Sequence, residues 1–246
     1  MCTGTKRNDN PKKNLIKPAM KSSLRKNLFF LLFIWVGCNA AFSQNSQSYY
    51  YENEFNLTLP VAPKWAMEIG LGNRGMVQER VDGEKLSGYQ HDHLEINHFT
   101  QYASKESLVV SLGLRYRFKE LFDSSEKDEF RIIEQLELEP VNALVPLSHR
   151  LRLEQRFKEN TIHRMRYEVE ISRALNEFFE IGAATEALYA VSSREKPEAE
   201  QRFSVGIENT SFRNLELGIE FEYRMEDYAR DLGHEFFIVT GVSLEL

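Results

Sequence analysis

The chain has almost no cysteine, only one long apolar run and no excess of positive charge, and each shortage excludes a class of protein. Its two cysteines, Cys2 and Cys38, both lie before residue 44, so residues 44–246 contain no thiol. A disulfide framework and thiolate catalysis are therefore excluded for that region. Continuous apolar residues occur once, at 28–36, and about nine residues are too few to span a bilayer as a helix.

The amino-terminal segment has the organisation of a secretory signal. Basic residues Lys21, Arg25 and Lys26 precede the apolar run, and small residues follow it. Ala41-Phe42-Ser43 offers a small-x-small cleavage site directly before Gln44. We therefore predict a signal peptide over residues 1–43.

Other interpretations of this segment remain open. It could stay uncleaved as an anchor, or Cys38 could be acylated as in a lipoprotein. Trp35 lies three positions before Cys38, where a lipoprotein signal would have a small aliphatic residue, so we favour cleavage after Ser43. Met20 would be a more suitable start residue for a signal peptide than Met1, so residues 1–19 can be interpreted as a mis-assigned start.

Removal of residues 1–43 makes the chain strongly acidic. The segment takes eight of the 31 basic residues and one of the 37 acidic residues, which leaves 23 basic and 36 acidic, a net charge of −13. A protein with this balance should not bind nucleic acid.

From Ser48 onward, apolar and polar residues alternate and no helical period is evident. We count about eleven candidate strands, each near 10–12 residues, which is the length of a tilted strand crossing an outer membrane. Strands of soluble sandwiches are usually shorter, at about five or six residues. The fold class predicted for residues 44–246 is all-β, an antiparallel up-and-down transmembrane β-barrel of 10–12 strands.

The connections fall into two sets. Those near 60–63, 103–106, 174–177 and 210–213 are short, whereas three polar stretches are longer: 75–88 with the turn dipeptide Asp82-Gly83, 119–128 and 192–200. Short turns at one rim and long loops at the other are typical of outer-membrane barrels, whose short turns face the periplasm. An odd strand count would start the chain outside, so we expect 10 or 12 strands.

A hairpin at Ser148–Ser172 carries the densest charge. Each of its strands has one apolar and one charged face, because side chains alternate across a strand. We interpret the charged residues as a ladder facing the barrel lumen: Arg150, Arg152, Glu154, Arg156, Arg164, Arg166, Glu168 and Glu170.

Charge pairing predicts a register for this hairpin. With Glu159-Asn160-Thr161 as the loop, Arg150 faces Glu170, Arg152 faces Glu168 and Glu154 faces Arg166. Opposite charges directly across a sheet contribute about 0.2–1 kcal/mol each. A shift by two would set Arg152 against Arg166, which this criterion disfavours.

Two functions are open for the ladder: a selectivity lining or ligand site, or an ionic plug that fills a narrow barrel. We favour the plug, because long side chains can fill a small barrel. His91 and His93 form a His-x-His pair that could bind zinc, but no third ligand has diagnostic spacing. No Gly-x-Ser-x-Gly elbow marks a nucleophile. We predict no metal, no cofactor, no catalytic residue and no enzymatic activity.

The chain resembles a family of Gram-negative outer-membrane proteins catalogued as domain of unknown function 2490. The likeness rests on Ser43-Gln44, Trp65, Glu129-Phe130-Arg131, and the segments His149-Arg150-x-Arg152-x-Glu154-x-Arg156 and Arg164-x-Arg166-Tyr167. It implies an outer-membrane barrel and brings no known activity. Two features depart from the pattern: the chain ends in Leu246 where barrels commonly end in an aromatic residue, and many strands are unusually acidic.

Three hypotheses follow. The first is an integral outer-membrane barrel, structural or a narrow low-flux channel, with the outer-membrane bilayer and the barrel-assembly machinery as partners and no small-molecule ligand identified. The second is a periplasmic soluble barrel that binds a small molecule, and the third is an outer-membrane lipid hydrolase. Apolar stripes on nearly every strand favour the first, because a soluble barrel places its apolar residues inside.

Overall fold

The computed structural model describes residues 46–81, 83–105, 107–119, 127–139, 147–229 and 232–246. The predicted signal peptide with Cys38, together with Asp82, lies outside these residues. The described chain forms twelve β-strands: β1 (Ser46–Ala62), β2 (Trp65–Val81), β3 (Glu84–Ser87), β4 (Gln90–Lys105), β5 (Leu108–Phe118), β6 (Glu129–Leu138), β7 (Leu147–Phe157), β8 (Thr161–Ala174), β9 (Phe179–Ser192), β10 (Glu198–Phe212), β11 (Leu215–Glu226) and β12 (Gly233–Glu245). In these ranges no helix has the length and apolarity needed to cross a membrane.

Eleven of the strands close a barrel. Consecutive strands pair antiparallel from β4 through β12, β2 pairs with both β1 and β4, and the short β3 pairs only with β2. The ring closes between β1 and β12, which run parallel from Gln47 opposite His234 to Thr58 opposite Glu245. The predicted all-β barrel of 10–12 strands is confirmed. The expected even count is wrong, because a parallel closing pair lets an odd number of alternating strands form a ring.

The connections define two rims. The short-turn rim carries the connections 63–64, 106–107, 175–178 and 213–214, and the long-loop rim carries 82–89, 119–128, 193–197 and 227–232. Lys64 and Asn214 adopt positive φ angles of 69° and 63°, as tight hairpin turns require. Two junctions break the predicted division. β6 ends and β7 begins at the short-turn rim although residues 139–146 separate them in sequence, and the short turn 158–160 lies at the long-loop rim.

The polar stretch 75–88, predicted as a loop, is mostly strand. β2 continues to Val81 and pairs with β3, with Val81 opposite Glu84. Gly83 turns the chain with a φ of 82°, which glycine adopts without steric penalty. Polar side chains suit this ribbon because the residues of β3 stand mostly exposed at the rim.

The two faces of the barrel wall differ sharply in polarity. Large apolar side chains cover the outside, and Leu112 and Phe221 are 54% and 47% exposed. The largest fully buried side chains include Arg131 and Glu154. Glu134 breaks the pattern, because it stands exposed on the outer face between Leu112 and Leu153 of the neighbouring strands.

The predicted register of the β7–β8 hairpin is wrong. Arg152 lies opposite Arg166, Arg150 opposite Glu168 and Glu154 opposite Arg164. The loop is Lys158-Glu159-Asn160, one residue earlier than predicted, and it closes with Phe157 opposite Thr161. Charge pairing within two strands was an incomplete criterion, since Arg152 and Arg166 also have partners on β6 and β9.

Cysteine pairs can test this register. In a Cys2→Ser, Cys38→Ser background, Leu153→Cys with Met165→Cys should oxidise to a disulfide, because the two residues are direct neighbours on the outer face. Leu153→Cys with Tyr167→Cys should not, because a diagonal pair lies about 7–8 Å apart and exceeds disulfide geometry. Non-reducing gels of folded protein measure disulfide formation in both variants. Cross-linking of the second pair alone would support the charge-paired register instead.

Candidate functional site: the arginine–glutamate interior

A cavity of about 730 Å³ occupies the barrel interior, and its charged lining consists of glutamates and arginines. Alternation supplies this lining, because every second residue of each strand points inward. Seven residues of the predicted ladder line the cavity: Arg150, Arg152, Arg156, Arg164, Arg166, Glu168 and Glu170. The eighth, Glu154, is buried among its neighbours with only 1% of its surface exposed.

Glu154 is the centre of the network. Its carboxylate lies 3.2 Å from Arg166, 3.5 Å from Arg131, 3.8 Å from Arg164 and 3.9 Å from Arg152. These arginines come from β6, β7 and β8, so one carboxylate ties three strands together. Full burial of a carboxylate is tolerated only when its charge is compensated. Glu154 has four cations within 4.0 Å, and its Oε1 accepts a hydrogen bond from Arg166, whereas its Oε2 has no hydrogen-bond donor among the described residues.

Arg152 and Arg166 lie directly opposite each other, and each has partners on a neighbouring strand. Arg166 donates to both carboxylate oxygens of Glu186 on β9, at 2.9 and 2.7 Å, and to Glu154. Arg152 donates to the side-chain oxygen of Gln135 at 2.7 Å and lies 6.0 Å from the ring centre of Phe99. Each arginine therefore has partners that oppose the repulsion of its neighbour.

The phenyl ring of Phe99 occupies space that a glycine leaves free. Gly113 on β5 lies opposite Phe99, and a Cβ atom there would collide with the ring. Glycine at 113 therefore lets an aromatic side chain lie flat among the arginines.

The network extends in both directions from Glu154. On one side Arg131 pairs with Glu129, which also accepts from Arg156 at 2.6 Å. On the other side Glu186 lies 3.5 Å from Arg202, and Arg202 pairs with Glu200 at 2.5 Å. Ion pairs thus run without a break across β6, β7, β8, β9 and β10.

A second group lies at the seam of the barrel. Glu52 on β1 pairs with Arg74 on β2 at 2.7 Å and with Arg224 on β11 at 3.8 Å. The two guanidinium groups flank the ring of Phe237 on β12, 4.9 and 3.7 Å from its centre. Cation–π contacts of this kind stabilise a desolvated arginine, so an aromatic residue continues the network across β12.

A third group lies on β4 and β5. Glu95 lies 3.1 Å from Arg115 and 2.8 Å from Arg117. His93 from the His-x-His pair is 1% exposed, and its ring nitrogens lie 3.0 Å from Asp92 and 3.6 Å from Glu95. No group of three or more metal-ligating side chains occurs within the described part of the chain.

The sequence reasoning missed most of the partners of the ladder. Glu129, Arg131, Glu186 and Arg202 complete the network but were not selected, although Glu129-x-Arg131 has the spacing that places both residues on one face. Gln135 and Phe99 carry no charge, so a search for charged residues could not find them. Glu170 lies opposite Ser148, whereas the predicted register placed it opposite Arg150.

A second cavity lies near the long-loop rim. It has a volume of about 270 Å³, and Lys119, Lys127 and Lys158 contribute to its lining. Arg74, Arg117, Arg156 and Glu226 line both cavities, so the two cavities meet at these charged side chains.

A family model described as "Protein of unknown function (DUF2490)" matches residues 53–233. The chain belongs to this family. The match covers the DUF2490 barrel from β1 to the start of β12 and includes the ion pairs centred on Glu154, Glu95 and Glu186. A search of curated proteins found no match.

Removal of the central carboxylate should destabilise the barrel. Glu154→Gln keeps the shape of the side chain but leaves four arginines without their shared counter-charge, and breaking a buried ion pair costs about 3–5 kcal/mol. We expect a clearly lower urea midpoint in circular dichroism.

Glu216→Gln is the matched control, because Glu216 is exposed and has no ion-pair partner within 4.0 Å among the described residues. Equal midpoints for the two variants would contradict a central role for Glu154.

Proposed function

We propose that this DUF2490 protein is an integral outer-membrane barrel whose lumen is closed by the arginine–glutamate network. It would act as a structural component of the membrane or, at most, as a narrow low-flux channel. One observation carries the proposal: the barrel has its charges inside and its large apolar side chains outside. That polarity suits a surrounding of lipid.

Aromatic pairs at both ends of the outer face support a membrane setting. Trp65 and Tyr102 pack 4.8 Å apart near the short-turn rim. Near the long-loop rim, Tyr49 stacks on Phe236 at 5.3 Å, and Phe130 stacks on Phe157 at 6.1 Å. Aromatic girdles at the two interfaces are a common feature of outer-membrane barrels.

The ion pairs across the interior favour a closed lumen over an open pore. Arginine side chains held by two carboxylates, as Arg131, Arg166 and Arg202 are, have little freedom, because bidentate pairs fix the guanidinium plane. Solute passage would require several of these pairs to open together. A continuous water-filled channel is therefore the less favoured form of the proposal.

The alternatives are weaker on the same geometry. A soluble barrel would expose its polar face to water, and here that face is inside. A hydrolase that used the His-acid grouping of His93, Asp92 and Glu95 would need His93 to reach substrate, and His93 is buried. We therefore propose a non-enzymatic role, with the outer-membrane bilayer and the barrel-assembly machinery as partners.

Fractionation of a Gram-negative host tests the proposal. The full-length protein should sediment with the outer membrane and should migrate differently on gels before and after boiling. Recovery in the periplasmic extract without a mobility difference would overturn membrane residence. In planar bilayers we expect little or no steady conductance. A large stable conductance would contradict a closed lumen and indicate an open pore.

Charge substitutions on the outer face give a sharper test. Leu112→Arg places a cation within the apolar surface and should destabilise a lipid-embedded barrel by about 2–4 kcal/mol. Leu86→Arg is the matched control, because Leu86 is 67% exposed on the rim strand β3 and should change little. Urea titrations of protein folded in vesicles measure both, and equal effects would argue against lipid at residue 112.

Glu134→Leu should have the opposite sign. It removes the carboxylate that stands between Leu112 and Leu153, and a carboxylate on a lipid-facing surface is unfavourable by less than about 2–4 kcal/mol. The same vesicle titration should show a modest gain in stability. A loss would indicate that the outer face around residue 134 is wet.

A further inference from the structure

The half of the main cavity nearer the short-turn rim has a chemistry of its own. Seven cavity-lining carboxylates occupy inward positions there, on β1, β2, β6, β8, β9, β10 and β11: Glu54, Glu68, Glu137, Glu170, Glu180, Glu208 and Glu220. Arg150, the ladder arginine nearest this half, is engaged by Glu168 at 2.6 Å. We call this half of the cavity the acidic vestibule.

These seven carboxylates stand outside the ion-pair network. Among the described residues none of them has a cation within 4.0 Å. Walls of low polarisability focus the field of like charges within a cleft and raise the local concentration of counter-ions. The vestibule therefore favours a cationic occupant.

Small residues leave room for such an occupant. A Cβ atom at Gly182 would lie 3.2 Å from the Glu170 carboxylate, and one at Gly218 would lie 3.6 Å from the Glu208 side chain. At Gly241 no atom stands within 4 Å of an added Cβ. The wall formed by β9 to β12 is thus built from glycines that keep the space in front of the carboxylates free.

An independent observation concerns Asn97, which lines the same cavity. Its side chain is only 7% exposed, and its Oδ1 atom has no hydrogen-bond donor among the described residues. It lies beside Asn56 and over Gly70, where a Cβ atom would strike it. A buried acceptor without a donor is unfavourable, and an N–H group of a ligand would satisfy it.

The arrangement suits an organic cation better than a metal ion. The carboxylates come from seven strands, and no cluster of three or more ligating side chains within the described ranges could hold a metal. We propose that the acidic vestibule binds a linear organic polyamine, whose separated ammonium groups contact Glu170, Glu208 and Glu220 and donate to Asn97. This proposal concerns the interior alone and does not depend on membrane residence.

Calorimetric titration of the purified full-length protein with spermine tests the proposal. We expect saturable binding of one spermine per chain. The triple variant Glu170→Gln, Glu208→Gln, Glu220→Gln should weaken it at least about tenfold, because a tenfold change in Kd corresponds to about 1.4 kcal/mol, which is less than the loss of a single charge-assisted hydrogen bond. Asn97→Ala should weaken binding without changing net charge.

The matched control removes the same charge outside the cavity. Glu84→Gln, Glu177→Gln, Glu195→Gln alters three exposed glutamates that do not line it and should bind spermine as the unmodified protein does. Equal weakening by both triples, displacement of spermine by Mg²⁺ at equal concentration, or no saturable binding would overturn the proposal. If the vestibule triple does not fold, single Glu170→Gln and Glu208→Gln variants carry the same comparison.

Discussion

The interior depends on the burial of one carboxylate. Glu154 has no access to solvent, so its charge is balanced only by Arg131, Arg152, Arg164 and Arg166. Four cations around one anion leave an excess of positive charge that must be compensated nearby. Glu129 and Glu186 take up that excess from either side, and the requirement passes from strand to strand. The alignment of β6 to β10 is therefore coupled through charge as well as through the backbone.

Arginine is suited to this task in a way that lysine is not. Its planar group offers five donors in a fixed fork and can bridge two carboxylates at once. Arg166 does so between Glu154 on β7 and Glu186 on β9. The charged lining of the main cavity accordingly contains arginine and glutamate and no lysine. Lysine appears in the second cavity, at Lys119, Lys127 and Lys158, where the wall meets the rim.

Much of the fold could be predicted because alternation is a local property. Each strand reveals its two faces by itself, so the barrel, the inward position of Arg150 to Glu170 and the approximate strand number all follow from the sequence. Register is not local. Opposing Arg152 to Arg166 is unfavourable for two strands taken alone and acceptable once Gln135, Phe99 and Glu186 are present. Closure is not local either, since the parallel pairing of β1 with β12 joins residues almost 190 positions apart.

The two halves of the interior impose different demands on sequence. In the network each charge is held by several partners. A single substitution therefore leaves a buried ion without its counter-charge. Toward the short-turn rim the carboxylates lack such partners, and Gly182, Gly218 and Gly241 keep the wall thin. Filling that space with larger apolar residues would give a tighter plug, as would pairing each glutamate with an arginine. A purely structural barrel would gain no stability from the acidic vestibule. The network therefore accounts for rigidity, and the vestibule is the part of the interior whose chemistry calls for a ligand.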